Sequence, residues 1–122
     1  MNQKQREALV DLLLLAMFAD GSLKVSDDQK LLSVIDEIGW ESYQTPDLYF
    51  QSAIAKARDA ADTEAGTLAR LKKINDGLAS DEIRHQAIGR LERFLSLDGE
   101  PGVEESKFLE LAKASLHGQQ VA

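Results

Sequence analysis

Carboxylates gather at two places in this sequence, and the two places match each other at a spacing of 78 residues. The first reads Phe18-Ala19-Asp20-Gly21, then three residues, then Val25-Ser26-Asp27-Asp28. The second reads Ser96-Leu97-Asp98-Gly99, then three residues, then Val103-Glu104-Glu105-Ser106. Hard cations take oxygen ligands from carboxylates and loop carbonyls, so the pattern predicts a divalent-cation site, most readily for calcium. The candidate ligands are Asp20, Asp27, Asp28, Asp98, Glu104 and Glu105.

These two acidic loops do not follow the EF-hand pattern. Placing Gly21 or Gly99 at the sixth loop position puts Ala16 or Phe94 at the first, where an EF-hand needs a carboxylate. A cation site here therefore needs ligands from separate helices or from both copies. Gly21 and Gly99 permit backbone conformations that turn loop carbonyls toward a common centre.

A purely structural use of the same residues stays open. Carboxylates in the first turn of a helix are stabilised by the helix dipole and by capping, and Asp-Gly after a helix is ordinary turn chemistry. On this alternative the domain is a helical protein–protein interaction module, and its acidic loops bind nothing. A metal-dependent hydrolase is a third and weaker hypothesis.

Other catalytic chemistry finds little support. The two histidines, His85 and His117, are isolated on helical segments, and the sequence has no P-loop, dinucleotide fingerprint or nucleophile elbow. Cysteine is absent, which excludes disulfides and thiolate chemistry. The formal charge of -7 argues against nucleic acid as a partner. We therefore predict a non-enzymatic, cytoplasmic domain with no catalytic residues and an unidentified protein partner.

The N-terminal apolar run from Ala8 to Ala19 is interpreted as a core helix. Glu7 and Asp11 interrupt it, no cleavage site follows, and it is shorter than the ~20 apolar residues that a membrane span needs. Its apolar residues cover nearly all faces, which is typical of a central helix surrounded by others. No direct membrane insertion is expected.

The rest of the chain shows helical periodicity and no strand alternation. It predicts an all-α bundle of about six or seven helices with an internal pseudo-repeat, forming one domain over residues 1–117 with a disordered tail over 118–122. Helix ends are indicated by Ser26, Gly39, Thr45-Pro46, a break from Asp62 to Gly66, and Ser80. Buried stripes are expected to include Leu48, Tyr49, Ala53, Ile54 and Ala57 in the third helix and Leu68, Leu71, Ile74 and Leu78 in the fourth.

Four further expectations concern single features. Val25 and Val103 should turn inward, and Gly89 should allow close helix packing, the alternative being an exposed site with no packing role. The basic residues between 70 and 93 should form a solvated face. The aromatic residues Trp40, Tyr43 and Tyr49 should cover one end of the core, and an apolar patch left exposed there would indicate a binding surface.

An apolar helix followed by Ala-Asp-Gly, Val and acidic residues near the start, and Leu-Asp-Gly, Val and Glu-Glu near the end, resembles the TerB-like family. This family includes bacterial tellurite-resistance TerB and the N-terminal region of certain membrane-anchored J-domain cochaperones. The segment 78–84 also resembles the family's join between its middle helices. The resemblance implies a compact helical bundle with pseudo-twofold character, a role in stress response and an acidic surface that binds divalent cations.

In this resemblance Asp20 and Asp98 match the motif aspartates. Family loops commonly have one residue between Gly and the apolar anchor, whereas this chain has three in both copies. Four residues after the anchor, where the family suggests glutamate, the chain has Gln29 and Lys107. Because Lys107 would repel a cation, the first copy is the better candidate site.

Overall fold

The computed structural model describes residues 2–19, 25–96 and 102–117, with side chains described over 2–18, 29–96 and 102–116. The described residues form six α-helices and no strand, which confirms the predicted all-α bundle. The helices are α1 (Gln3–Ala19), α2 (Val25–Ile38), α3 (Pro46–Ala61), α4 (Glu64–Leu78), α5 (Asp81–Leu95) and α6 (Val103–His117). The predicted pseudo-repeat depends on loops outside the described residues and stays a prediction, as does the tail over 118–122.

Helix α1 is the centre of the bundle, as its apolar sequence predicts. A continuous run from Ala8 to Met17 is buried except at Asp11, and α1 contacts each of the other five helices. Helix α2 packs chiefly on α1, and an ion pair of 2.7 Å between Arg90 and Glu37 joins it to α5. Each outer helix therefore needs only one apolar stripe, because α1 provides apolar surface in every direction.

The helix starts are determined by local capping. Thr45, Thr63 and Ser80 each have an extended backbone and a side-chain oxygen that accepts an N–H three residues on. These bonds satisfy amides that the helix leaves unpaired at its first turn. Two predicted boundaries were wrong: α2 begins at Val25, so Ser26 lies inside its first turn, and α4 begins at Glu64, so Gly66 is helical.

Close packing depends on Gly77 and not on Gly89. A Cβ on Gly77 would lie 3.1 Å from the Cβ of Ala8, so this glycine lets α4 approach α1. A Cβ on Gly89 would have no neighbour within 4 Å, and the residue is exposed. The predicted packing role of Gly89 was therefore wrong.

Several residues expected to be buried are exposed instead. Leu48 is 50% exposed, Leu68 is 41% exposed and Val103, expected to turn inward, is 71% exposed. In α3 the buried position is taken by Phe50, which the predicted stripe omitted. Within the described residues no helix is both long and apolar enough to cross a membrane.

Candidate functional site

Most of the predicted cation ligands fall outside the side chains that the structure describes. Asp20 and Asp98 lie outside the described residues. Asp27 and Asp28 are in the first turn of α2, but their side chains also lie outside the description. A cation site in the first acidic loop therefore remains a prediction.

The acidic pair of the second copy has local partners. Glu105 accepts a hydrogen bond of 3.1 Å from the backbone N–H of Gly102, and the N–H of Ser106 in turn bonds the Gly102 carbonyl. This is the glutamate half of a capping box at the start of α6. Glu104 lies 3.7 Å from the ammonium of Lys107. Both carboxylates thus have a structural use that needs no ligand.

A cleft of about 380 Å³ lies beside this second acidic pair, between the start of α6 and the turn from α3 to α4. Its polar rim includes Asp62, Glu64, Glu104 and Lys107, and Phe108 lines it as well. Among the described side chains, no three histidine, aspartate or glutamate residues come together closely enough to hold a metal ion. These carboxylates therefore surround a cleft without forming a coordination sphere.

The segment between α2 and α3 forms a second candidate site, which we call the platform: residues 39–48, comprising the connection and the first turn of α3. It begins at Gly39, whose φ of +86° is disfavoured for residues with a side chain. Arg6 of α1 donates a hydrogen bond of 3.1 Å from Nε to the Ile38 carbonyl, and its NH1 lies 3.5 Å from the Glu41 carboxylate. The Glu41 N–H donates to the side-chain oxygen of Gln3 at 2.7 Å. Helix α1 therefore fixes the start of the platform.

Aromatic contacts hold the rest of the platform. The indole N–H of Trp40 donates to the Gln44 carbonyl at 2.8 Å and closes the loop on itself. The rings of Trp40 and Tyr49 meet edge to face with centroids 5.4 Å apart, and both are packed on the core. Tyr43, predicted to join this cluster, is fully exposed at the tip of the loop. Leu48, which also belongs to the platform, is half-exposed.

Beneath the platform, a polar seam joins α1, α3 and α4. The Tyr49 hydroxyl donates to the Asp11 carboxylate at 2.7 Å, and Arg70 lies 3.2 Å from the other carboxylate oxygen. The side chains of Asp11 and Arg70 are 15% and 16% exposed, so this pair is largely desolvated. Burial raises the pKa of Asp11 above its usual range, although the Tyr49 hydrogen bond and the charge of Arg70 oppose this.

The same seam keeps Tyr49 protonated. Burial raises the pKa of the Tyr49 hydroxyl well above its usual value, and the neighbouring Asp11 charge raises it further. Tyr49 therefore acts as a hydrogen-bond donor and not as a proton carrier near neutral pH. This seam positions the ring that supports Trp40.

The basic residues of the second half were predicted to form one solvated face, and this prediction was wrong. Arg70 is buried against Asp11, and Arg84 is 19% exposed, donating to Asp81 and to the Asn75 carbonyl. His85, in contrast, is exposed. Sequence reasoning also missed Arg6 and Asp11, although a charged residue within an otherwise apolar central helix was the available signal.

Comparison of the chain with protein-family models, with curated proteins and with solved structures gave no match. The TerB-like resemblance therefore depends on the sequence motifs alone and stays a prediction.

Proposed function

We propose that this domain is a non-enzymatic helical module that binds a protein partner through the platform. The observation that carries this proposal is the exposure of Tyr43 and Leu48 on a segment that is otherwise held in place. Tyrosine is enriched among the residues that dominate binding energy at protein interfaces, because it offers a large apolar surface and a polar tip.

The rigidity of the platform supports the same function. Ordering a flexible loop on binding costs free energy, and a loop that is already ordered avoids this cost. Arg6 and Gln3 hold one end of the platform, Trp40 closes its middle, and Thr45 caps the helix that follows. Tyr43 is thus presented on a preorganised backbone.

The test compares two half-exposed leucines. Leu48→Ser alters the platform, and Leu68→Ser makes the same change in α4, at a residue of similar exposure. A photoreactive residue at position 43 would capture the partner, which would then be purified and titrated by calorimetry. We expect Leu48→Ser and Tyr43→Ala to weaken binding by about tenfold or more, as loss of an interface anchor does.

Leu68→Ser should leave that affinity unchanged within about twofold, and thermal melts should show all variants folded. Equal weakening by Leu48→Ser and Leu68→Ser would contradict the platform as the binding surface. Capture of a second copy of this chain, with self-association in ultracentrifugation, would identify the partner as the domain itself.

We also propose, as a second function, that the first acidic loop binds a divalent cation, preferably calcium, as the TerB-like resemblance implies. The first acidic loop is favoured because the glutamates of the second already have structural partners. Glu105 caps α6, and Glu104 pairs with Lys107. The proposed ligands are Asp20, Asp27 and Asp28. A role in stress response would follow from this resemblance and from no other observation.

Calorimetric titration of chelator-treated protein with calcium, magnesium and manganese tests this second function. Calcium at 100 times its dissociation constant should stabilise the fold by about 2.7 kcal/mol. Asp27→Asn should weaken binding strongly, whereas Glu104→Gln, in the acidic pair of the second copy, should not. Absence of binding heat and of any thermal shift at millimolar calcium would contradict the proposal and leave the platform proposal untouched.

A further inference from the structure

A groove of about 280 Å³ lies between α3 and α4, on the outer side of the polar seam. Three cationic side chains line it: Lys56 from α3, and Arg70 and Lys73 from α4. The acidic side chain in its lining is Asp59. A groove lined mainly by cations is unexpected in a chain with a formal charge of -7.

The cations of this groove are only partly neutralised. Arg70 is paired with Asp11, which Lys56 also stabilises electrostatically. Among the described residues, neither Lys56 nor Lys73 forms an ion pair with a carboxylate within 4 Å. Asp59 lies 4.0 Å from Arg58, and both side chains are mostly exposed, so the charge of Asp59 is well screened by water.

Arg70 is fixed before any ligand arrives. Its 3.2 Å contact with Asp11 orients the guanidinium, and its Nε is buried without a hydrogen-bond partner among the described residues. A cation that is already ordered loses little side-chain entropy when an anion binds. Arg70 thus lines the groove in a fixed position, while Lys56 and Lys73, both exposed, provide the charges that no carboxylate pairs within 4 Å among the described residues.

Small residues keep the groove open. Ala60, Gly66 and Ala69 line it between the cations. A Cβ on Gly66 would lie 2.6 Å from the Ala60 carbonyl oxygen, so this position admits only glycine without a shift of the α3–α4 turn. The turn therefore has a fixed shape.

We infer that this groove binds a small anion carrying a phosphate group, either inorganic phosphate or a phosphomonoester. A phosphate carries roughly one and a half negative charges or more at neutral pH and presents several acceptor oxygens, which matches several separate cations better than the two oxygens of one carboxylate do. The overall negative charge of the protein disfavours nonspecific uptake of anions, so saturable binding would report on the groove itself. This inference is independent of the platform.

The test is an NMR titration with inorganic phosphate, and separately with glycerol phosphate, at constant ionic strength. Backbone amide shifts should saturate for residues that line the groove, including Lys56, Gly66 and Lys73. Tighter binding of glycerol phosphate would identify a phosphomonoester as the ligand class, and equal affinities would identify the free anion. Both results support an anion groove.

Adjacent lysines provide the matched control. Lys73→Gln removes a groove cation, and Lys72→Gln removes the same charge from an exposed neighbour that does not line the groove. We expect Lys73→Gln to weaken phosphate binding by about tenfold, as loss of a charge-assisted hydrogen bond does, and Lys72→Gln by less than about twofold. Asp59→Asn should tighten binding.

Two results would overturn the inference. One is the absence of any saturable shift at millimolar phosphate in protein that is folded by its amide spectrum. The other is equal weakening by Lys72→Gln and Lys73→Gln, which would show that phosphate responds to net charge and not to the groove.

Discussion

The connection from α2 to α3 and the turn from α4 to α5 each join two consecutive helices, but different interactions hold them. The α4–α5 turn is two residues long: Ala79 ends α4 in the left-handed conformation, and Ser80 caps α5. The α2–α3 connection runs from Gly39 to Thr45 and is fixed largely by side chains of α1. A short turn can be held by its own backbone and caps, whereas a longer one needs contacts with distant residues.

The two connections also differ in the exposure of the apolar residues beside them. The α4–α5 turn places its neighbouring apolar residues in the core, with Leu78 fully buried. The longer connection leaves Tyr43 fully exposed and Leu48 half-exposed. An ordered loop with exposed apolar side chains is suited to binding, because the entropy cost of ordering the loop has already been met during folding.

Arg6→Ala should have the largest effect and should act through the long connection. The change removes a charged hydrogen bond to the Ile38 carbonyl from a side chain that is only 12% exposed. We expect a loss of about 2–3 kcal/mol of unfolding free energy by urea denaturation, and faster hydrogen exchange at Glu41 and Gln44. Arg58→Ala, at an arginine that is 66% exposed, should cost less than about 0.5 kcal/mol. Unchanged exchange in Arg6→Ala would show that α1 does not hold the platform.

Tyr49→Phe should have an intermediate effect and should reveal the electrostatics beneath the platform. Loss of the hydrogen bond to the Asp11 carboxylate should cost about 1.5 kcal/mol. Because that bond lowers the pKa of Asp11, the variant should raise this pKa further, as measured by carbon NMR of the Asp11 carboxyl group. Tyr43→Phe, which alters an exposed hydroxyl, is the control and should change neither quantity.

The raised pKa of Asp11 also makes the unfolding free energy of the protein depend on pH. The folded protein holds the Asp11 proton more tightly than the unfolded chain, whose value is near 3.8. The contribution of Asp11 to stability is therefore fully present below pH 3.8 and is lost as the pH rises through its folded pKa. Relative to Asp11→Asn, which does not titrate, the wild type should lose stability over that interval. If the wild type instead gained unfolding free energy relative to Asp11→Asn as the pH rose, the assigned direction of the pKa shift would be wrong.

Ala79→Gly should have the smallest effect and should act on the short turn. Ala79 has a φ of +69°, a conformation that costs a residue with a Cβ roughly 1 kcal/mol or more. Thermal denaturation should show stabilisation of about 1 kcal/mol, without a change in hydrogen exchange on the platform. Gly89→Ala makes the opposite substitution at an exposed helical site and should also stabilise, by up to ~1 kcal/mol. Destabilisation by Ala79→Gly would show that the turn carries no strain.

Sequence reasoning predicted the features that depend on neighbours along the chain. The helix over the apolar run from Ala8 to Ala19, the caps at Thr45 and Ser80 and the helix end at Gly39 were confirmed. The predictions were wrong where the outcome depends on how two helices pack against each other. Gly89 and Gly77 are both helical glycines, and only the approach of Ala8 distinguishes the packing role of Gly77. Leu48 and Leu71 both have helical spacing, and only the packing of the helices decides that the first is half-exposed and the second buried.

The candidate sites also differ in whether their residues are neighbours along the chain or come from distant segments. The acidic loops are visible in the sequence because their residues are contiguous, whereas the platform depends on Arg6 and Gln3, more than thirty residues away. The groove likewise joins Lys56 to Lys73 from separate helices. The sequence by itself determined the all-helical architecture, the caps at Thr45 and Ser80 and the central position of α1, because these follow from hydrogen bonds and periodicity within a few residues. The tertiary structure decided which side chains are buried, paired or presented to a ligand, because burial and charge pairing depend on the helices that pack against them.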